Sequence, residues 1–124
     1  KANVRDGHYA IWGPLHLLTK LDSQGYAINK DAGDIVAYLT GTKDPPNGFD
    51  IIAFLAGANL VPGCAMSVRR ETELGPFQSF APERSCGCYF EQVATGSNDC
   101  QACTSSVECP AEKPTCSYGF CELQ

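Results

Sequence analysis

All eight cysteines of the chain lie in its second half, at Cys64, Cys86, Cys88, Cys100, Cys103, Cys109, Cys116 and Cys121. An even number crowded toward one end is the pattern of a disulfide framework, and disulfides persist in oxidising compartments. The chain is therefore expected to be extracytoplasmic, in a periplasm, on a cell surface or secreted. Zinc and iron–sulfur sites use repeated C-x2-C knuckles or cysteines beside histidines. Here the spacings are irregular and His8 and His16 lie far upstream, so neither a metal nor a cofactor is expected. Haem attachment fails at Cys103, because Thr104 follows where His would be needed. A redox-active dithiol needs a helix or a basic group after the pair to depress a thiol pKa, and none is read there.

The cysteines also divide the chain. Residues up to about 63 carry none, and residues 97–124 form a tail whose only large apolar side chains are Val107, Tyr118, Phe120 and Leu123. Such a tail cannot build a core, so its bridges must hold it, each contributing roughly 2–4 kcal/mol. Eight cysteines allow about 105 pairings. If Gly87 lies in a strand, Cys86 and Cys88 share a face and each seeks a distant partner. The expected pairs are Cys103 with Cys116 and Cys109 with Cys121, with Cys64 and Cys100 taking Cys86 and Cys88 in either order.

Charge narrows the function classes. The net charge is −5, and the longest basic cluster is Arg69-Arg70. Nucleic-acid binding needs clustered Lys and Arg to displace counterions, so no nucleic acid is expected as partner. No run approaches the roughly 18 apolar residues of a membrane span. The chain starts at Lys1, no signal peptide is visible, and none of the five Asn begins an Asn-X-Ser/Thr acceptor. A processed piece of a longer exported, bacterial precursor is the expectation.

Apolar periodicity suggests a mixed fold. Tyr9 to Leu18 is aromatic and branched but broken by Gly13-Pro14, which favours two short strands or one bent strand. Asn29 to Thr40 reads as a helix, capped by Asn29 or Asp31, striped by Ala32, Ile35, Val36 and Leu39, and ended by Gly41. A second, well-buried helix is expected from Gly48 to Ala58 around Ile52, Ala53 and Ala56. Alternation over residues 64–68 and 88–93 predicts two further strands. The class is α/β or α+β: a small sheet, two packed helices and a disulfide-rich, irregular C-terminal tail.

Catalytic constellations are thin. Asp6, His8 and His16 with Ser23 or Ser67 lack a Gly-X-Ser-X-Gly elbow, and Asp31/Asp34 and Glu71/Glu73 read as a helix N-terminus and a solvated loop. No enzyme is expected. The densest informative run is Val4-Arg5-Asp6-Gly7-His8-Tyr9-Ala10-Ile11-Trp12-Gly13-Pro14-Leu15. Arg5 offers a bidentate fork for a carboxylate or phosphate, Gly7 permits a tight turn, and Tyr9 and Trp12 can line a wall. Arg5, Asp6, His8, Tyr9 and Trp12 are the candidate ligand residues.

This run and the two helices after it resemble the C-terminal segment of periplasmic substrate-binding proteins, in particular the phosphate-binding type of ABC-transporter receptor. Arg5, Asp6, Gly7, Tyr9, Ile11 and Pro14 follow that family's style, whereas Ala10 stands where it commonly has proline. The tail resembles short cysteine-rich modules appended to exported bacterial proteins. The resemblance spans residues 4 to 60 and implies that residues 1–96 are part of one lobe, with 97–124 an appended stapled tail. A complete receptor needs two lobes, and the family's Ser/Thr/Gly phosphate loops have no counterpart here. Two functions follow as expectations: a non-enzymatic binding protein taking a small anion such as phosphate, completed by the remainder of its precursor or another chain, or a structural or protein-interaction module of a cell surface or extracellular assembly.

Overall fold

The computed structural model describes residues 2–123. The mixed α/β class holds: four α-helices and two two-stranded antiparallel sheets occur among the described residues. α1 (Ala2–Arg5) is one turn, and Gly7 bends the chain after it with φ of +76°. A side chain there would also press on Val68, 3.2 Å from an added Cβ. Glycine is thus required twice over.

From Tyr9 to Lys20 the chain runs without helix, strand, turn or bend. The expected strands do not form. Pro14 removes an amide donor, and no described segment lies alongside to pair with the backbone. A short bridge between Leu21 and Ala27 then turns the chain.

α2 (Lys30–Thr40) begins and ends as its caps dictate. Asn29 Oδ1 accepts from the Ala32 amide at 3.1 Å, and Gly41 closes the helix in the left-handed region. Its expected apolar stripe buries nothing fully, and Ile35 faces water. α3 (Ile51–Gly57) is shorter than the span expected from 48 to 58, because Asp50 caps it through the Ala53 amide at 2.9 Å. Ile52, Leu55 and Ala56 are buried, whereas Phe49 and Phe54 remain exposed.

Both later strand expectations need correction. Residues Gly63–Ala65 form a 3-10 turn after Pro62, and the strand β1 is only Val68–Arg69, paired with β2 (Gln78–Ser79). Residues 88–93 belong to α4 (Gly87–Thr95). The alternation there was ambiguous: Cys86, Phe90 and Ala94 also recur at helical spacing, with Val93 beside them. That stripe wins because it completes the core with Ile52, Ala56 and Ala65.

The tail is more regular than expected. β3 (Thr115–Ser117) and β4 (Phe120–Glu122) form a hairpin with Cys116 opposite Cys121. Its two turn residues, Tyr118 and Gly119, both have positive φ, at +51° and +83°, the backbone of a hairpin turn that matches strand twist. Residues 101–103 lie against β4: the Cys121 amide donates to Gln101 and the Cys103 amide to Gly119, both at 2.9 Å.

Every cysteine is paired: Cys64–Cys86, Cys88–Cys100, Cys103–Cys116 and Cys109–Cys121. The two tail pairs are those expected, and of the two orders left open for Cys64 and Cys100 the structure takes Cys64 with Cys86 and Cys100 with Cys88; the strand premise was wrong. At the start of a helix, residues two apart point about 200° from each other. Cys86 therefore turns to the body and Cys88 to the tail. No helix among the described residues is long and apolar enough to cross a membrane.

Candidate functional site

The five residues expected to contact a ligand do not converge. Arg5 is an anchor: its Nε donates to the Ala65 carbonyl at 2.8 Å, its Nη1 lies 3.5 Å from Glu91, and its side chain is only 16% exposed. Its fork is thus engaged by the protein itself. Asp6 accepts from the Ser67 hydroxyl at 3.0 Å, fastening α1 to the chain before β1. The Tyr9 amide donates to Asn3 at 2.8 Å while its ring is half exposed. His8 is exposed. His16 lies 4.0 Å from Glu73, both in water, so Ser67, Asp6 and the two histidines do not assemble as a triad.

Trp12 alone of the five lines the principal groove. Its ring stacks on Phe77 with centroids 5.8 Å apart, and the Arg70 guanidinium sits 5.2 Å from the Trp12 centroid and 4.2 Å from that of Phe77. Arg70 also donates to the carbonyls of Ala10 at 2.6 Å, Trp12 at 3.3 Å and Glu73 at 3.2 Å. It is the clamp that holds the extended strap, residues 9–20, to the β1–β2 hairpin. Sequence reasoning set Arg69-Arg70 aside as a weak basic cluster. The available signal was the aromatic company of Trp12 and Phe77, which an arginine can join by stacking.

The groove holds about 850 Å³ between residues 12–17 of the strap on one side and the ends of α2 and α3, residues 59–63 and β1 on the other. Leu39, Leu55, Leu60, Val61, Met66 and Val68 make its apolar wall. Both signs of charge line it, Arg69 and Arg70 with Glu71 and Glu73. Nothing there concentrates positive charge for an anion. A smaller cleft of about 360 Å³ lies between the start of α3 and the tail hairpin, lined by Asp50, Arg84, Tyr89 and Tyr118 among others. Tyr89 donates its phenol to the Asp50 carboxylate, which, with burial second, raises the phenol's pKa above its ordinary value. Tyr89 stacks on Tyr118 at 5.7 Å, and Arg84 lies 4.3 Å from the Tyr118 centroid.

No known protein family, curated protein or solved structure matches this chain. The site must therefore be read from its own chemistry. The three sulfurs of Cys103, Cys109 and Cys116 lie within 4.8 Å of one another. All three are bonded to other cysteines, and their closeness is that of two neighbouring bridges. The four bridges belong to an oxidising environment. The most distinctive surface is apolar: Tyr9, Ile11, Leu15, Leu18, Leu21, Tyr26 and Ile28 are all exposed within twenty residues, Leu18 to 95% and Ile11 to 81%. Isolated exposed leucines are ordinary, but so many exposed apolar side chains in one short segment point to a surface that meets another apolar surface.

Proposed function

We propose that the chain is an extracytoplasmic, non-enzymatic module that binds polypeptide through its N-terminal half, with the disulfide-held half as its frame. The observation that carries this reading is the number of exposed apolar side chains between Tyr9 and Ile28, interspersed with polar residues such as Lys20 and Asp22, beside an apolar groove. A small polar ligand calls for convergent donors, and the two best guanidinium forks, Arg5 and Arg70, are engaged by backbone carbonyls. A macromolecular partner suits the surface better.

The resemblance to phosphate-type receptors supplies a second reading of the same surface, favoured by the order of exposed strap and two helices. On it, the polypeptide that covers residues 9–28 is the remainder of the chain's own precursor. A small anion would then bind in the completed lobe.

Hydroxyl-radical footprinting of the native protein from its source, beside the isolated 124-residue chain, tests both readings. Ile11 and Leu18 are expected to be labelled in the isolated chain and shielded in the native one. Equal labelling in the two overturns the proposal. Native intact mass separates the readings: one covalent chain much longer than 124 residues supports the receptor, and a non-covalent complex supports the module.

A further inference from the structure

We propose that the Cys88–Cys100 bridge is a thiol-exchange site, at which a small anionic thiol, one carrying a carboxylate or sulfonate, forms a mixed disulfide with Cys100. This goes beyond the polypeptide-binding reading and does not depend on it. Of the four bridges, Cys64–Cys86 lies within the body, and Cys103–Cys116 and Cys109–Cys121 lie within the tail. Cys88–Cys100 alone ties the body, through α4, to the tail. Its two sulfurs differ in access: Cys88 is buried at 5% exposure, and Cys100 is half-buried. An incoming thiol therefore meets Cys100 first.

The charge beside Cys100 sets this bridge apart. The Lys113 ammonium lies 3.9 Å from Cys100 Sγ. Among the described residues, Lys113 has no carboxylate within ion-pair distance, and no Lys or Arg side chain hydrogen-bonds to a sulfur of the other three bridges. The thiolate is the attacking form in exchange. A cation beside the attacked sulfur draws the thiolate in and stabilises the charge spread over three sulfurs in the transition state. A second anionic group on the same thiol strengthens that attraction.

The step balances without a further oxidant or reductant. The thiolate sulfur bonds to Cys100 Sγ, the Cys88–Cys100 bond breaks, and its electron pair leaves on Cys88 Sγ. Cys88 stands in the first turn of α4, whose amides favour a thiolate, whereas the Glu122 carboxylate, bound to the Cys88 amide, opposes one. Cys88 then takes a proton from water, and the Cys121 carbonyl, 3.8 Å from its sulfur, accepts from the new thiol. The incoming sulfur is oxidised and Cys88 is reduced. Asn98 keeps the two cysteines together, donating to the Cys88 carbonyl at 3.1 Å and accepting from the Cys100 amide at 2.8 Å. Exchange is thus reversible, because Cys88 stays placed to expel the thiol and restore the bridge. Ser117 and Glu122 still bond to Ser85, at 2.6 and 3.1 Å, so the tail hairpin stays docked while the bridge is open.

The probes are 2-mercaptoethanesulfonate, 2-mercaptoethanol and cysteamine (anionic, neutral and cationic), added to the oxidised full chain at equal thiolate concentration. Samples are quenched in denaturant with N-ethylmaleimide and mapped by mass spectrometry without reduction. The first adduct is expected to carry the probe on Cys100 and maleimide on Cys88, and to appear at least about tenfold faster than at any other bridge. At this site and low salt the sulfonate is expected to react at least about threefold faster than cysteamine, and about 1 M salt is expected to close the gap. Lys113→Gln should level the series, and Lys113→Arg should keep it. A first adduct at another bridge, a probe on Cys88 rather than Cys100, or a series that Lys113→Gln leaves unchanged would each overturn the proposal. The charge and salt series of the unaltered chain decides the matter even where a Lys113 variant fails to oxidise correctly: equal rates for the three probes overturn it.

Discussion

Residues 9–28 and residues 64–122 put apolar side chains in opposite places. The later region has Phe90 at 1% exposure and Cys86 at 0%, and three of its bridges, Cys88–Cys100, Cys103–Cys116 and Cys109–Cys121, span only 12 or 13 residues each. The earlier region is denser in large apolar residues and buries none of them fully. Apolar content, then, does not decide what becomes core. Phe90 is buried because α3, the Gly63–Ala65 turn and the Cys64–Cys86 bridge bring surfaces to it. Leu18 has equal hydrophobic drive and nothing brought against it.

If that contrast is right, substitutions should divide by region. Phe90→Ala is expected to cost about 3–5 kcal/mol, as for other fully buried aromatics, read as a shift in urea midpoint at constant slope. A cost below about 1 kcal/mol would show that the core has been misplaced. Replacing Cys64 and Cys86 together by alanine is expected to cost about 2–5 kcal/mol, also by urea. Because that bridge ties the turn at residue 64 to the start of α4, its loss should expose both.

Glu122→Ala should cost about 1–3 kcal/mol. Glu122 is buried, accepts from the Cys88 amide at 2.6 Å and from the Ser85 hydroxyl at 3.1 Å, and so caps α4 from the last strand. Glu122→Gln keeps an acceptor and should recover part of the loss. If alanine and glutamine behave alike, the carboxylate's charge near the helix N-terminus matters more than its hydrogen bonds.

Two hydrogen-bonded groups make the frame sensitive to pH from opposite ends. The Tyr89 phenol is held protonated by the Asp50 carboxylate and its pKa is raised. Its stabilising contribution is therefore complete below the ordinary phenol range near pH 10 and is lost as pH climbs through the raised value. Tyr89→Phe should flatten the alkaline limb of a melting-temperature profile. Glu108 accepts from the Thr104 amide at 2.8 Å and hydroxyl at 2.7 Å, which lowers its pKa. Its contribution is complete above the ordinary carboxylate range and fades as pH falls through the lowered value. Glu108→Gln should trim the acid limb, by less because the site is exposed. The smallest effect belongs to the strap: Leu18→Ser is expected to change stability by no more than about 0.5 kcal/mol in the isolated chain. A loss comparable to that at Phe90 would mean that Leu18 is already covered.

Local chemistry was the legible part of this fold. Asn29 and Gly41 announce the ends of α2 through their own backbone bonds and conformations, and such signals need no tertiary partner; Asp50 carries the same signal for α3 and went unread. The cysteine pairing was legible too, although through a mistaken strand. What could not be read was set by distant neighbours. Residues 88–93 satisfy period two and a helical stripe alike, and only the core decides between them. The Tyr118-Gly119 turn lacks the usual Asn-Gly signal, so the hairpin around it stayed hidden. At the candidate site, Arg5 reads as a ligand fork until Ala65, sixty residues away, is seen to accept from it. The strap's lack of partners was invisible for the same reason.

The cap that Glu122 places on α4 has a consequence for biogenesis. The amide it satisfies belongs to Cys88, 34 residues earlier. A chain emerging from a translocation channel amino end first presents the α4 sequence well before its acceptor arrives. Until residues 120–122 are out, the first turn of α4 must be served by water, and Cys109 has no Cys121 to meet. The cap on α4 and the Cys109 bridge thereby both wait for residues 120–122, and mispairing of Cys109 is the hazard of that interval, whereas Cys88 meets its partner Cys100 earlier.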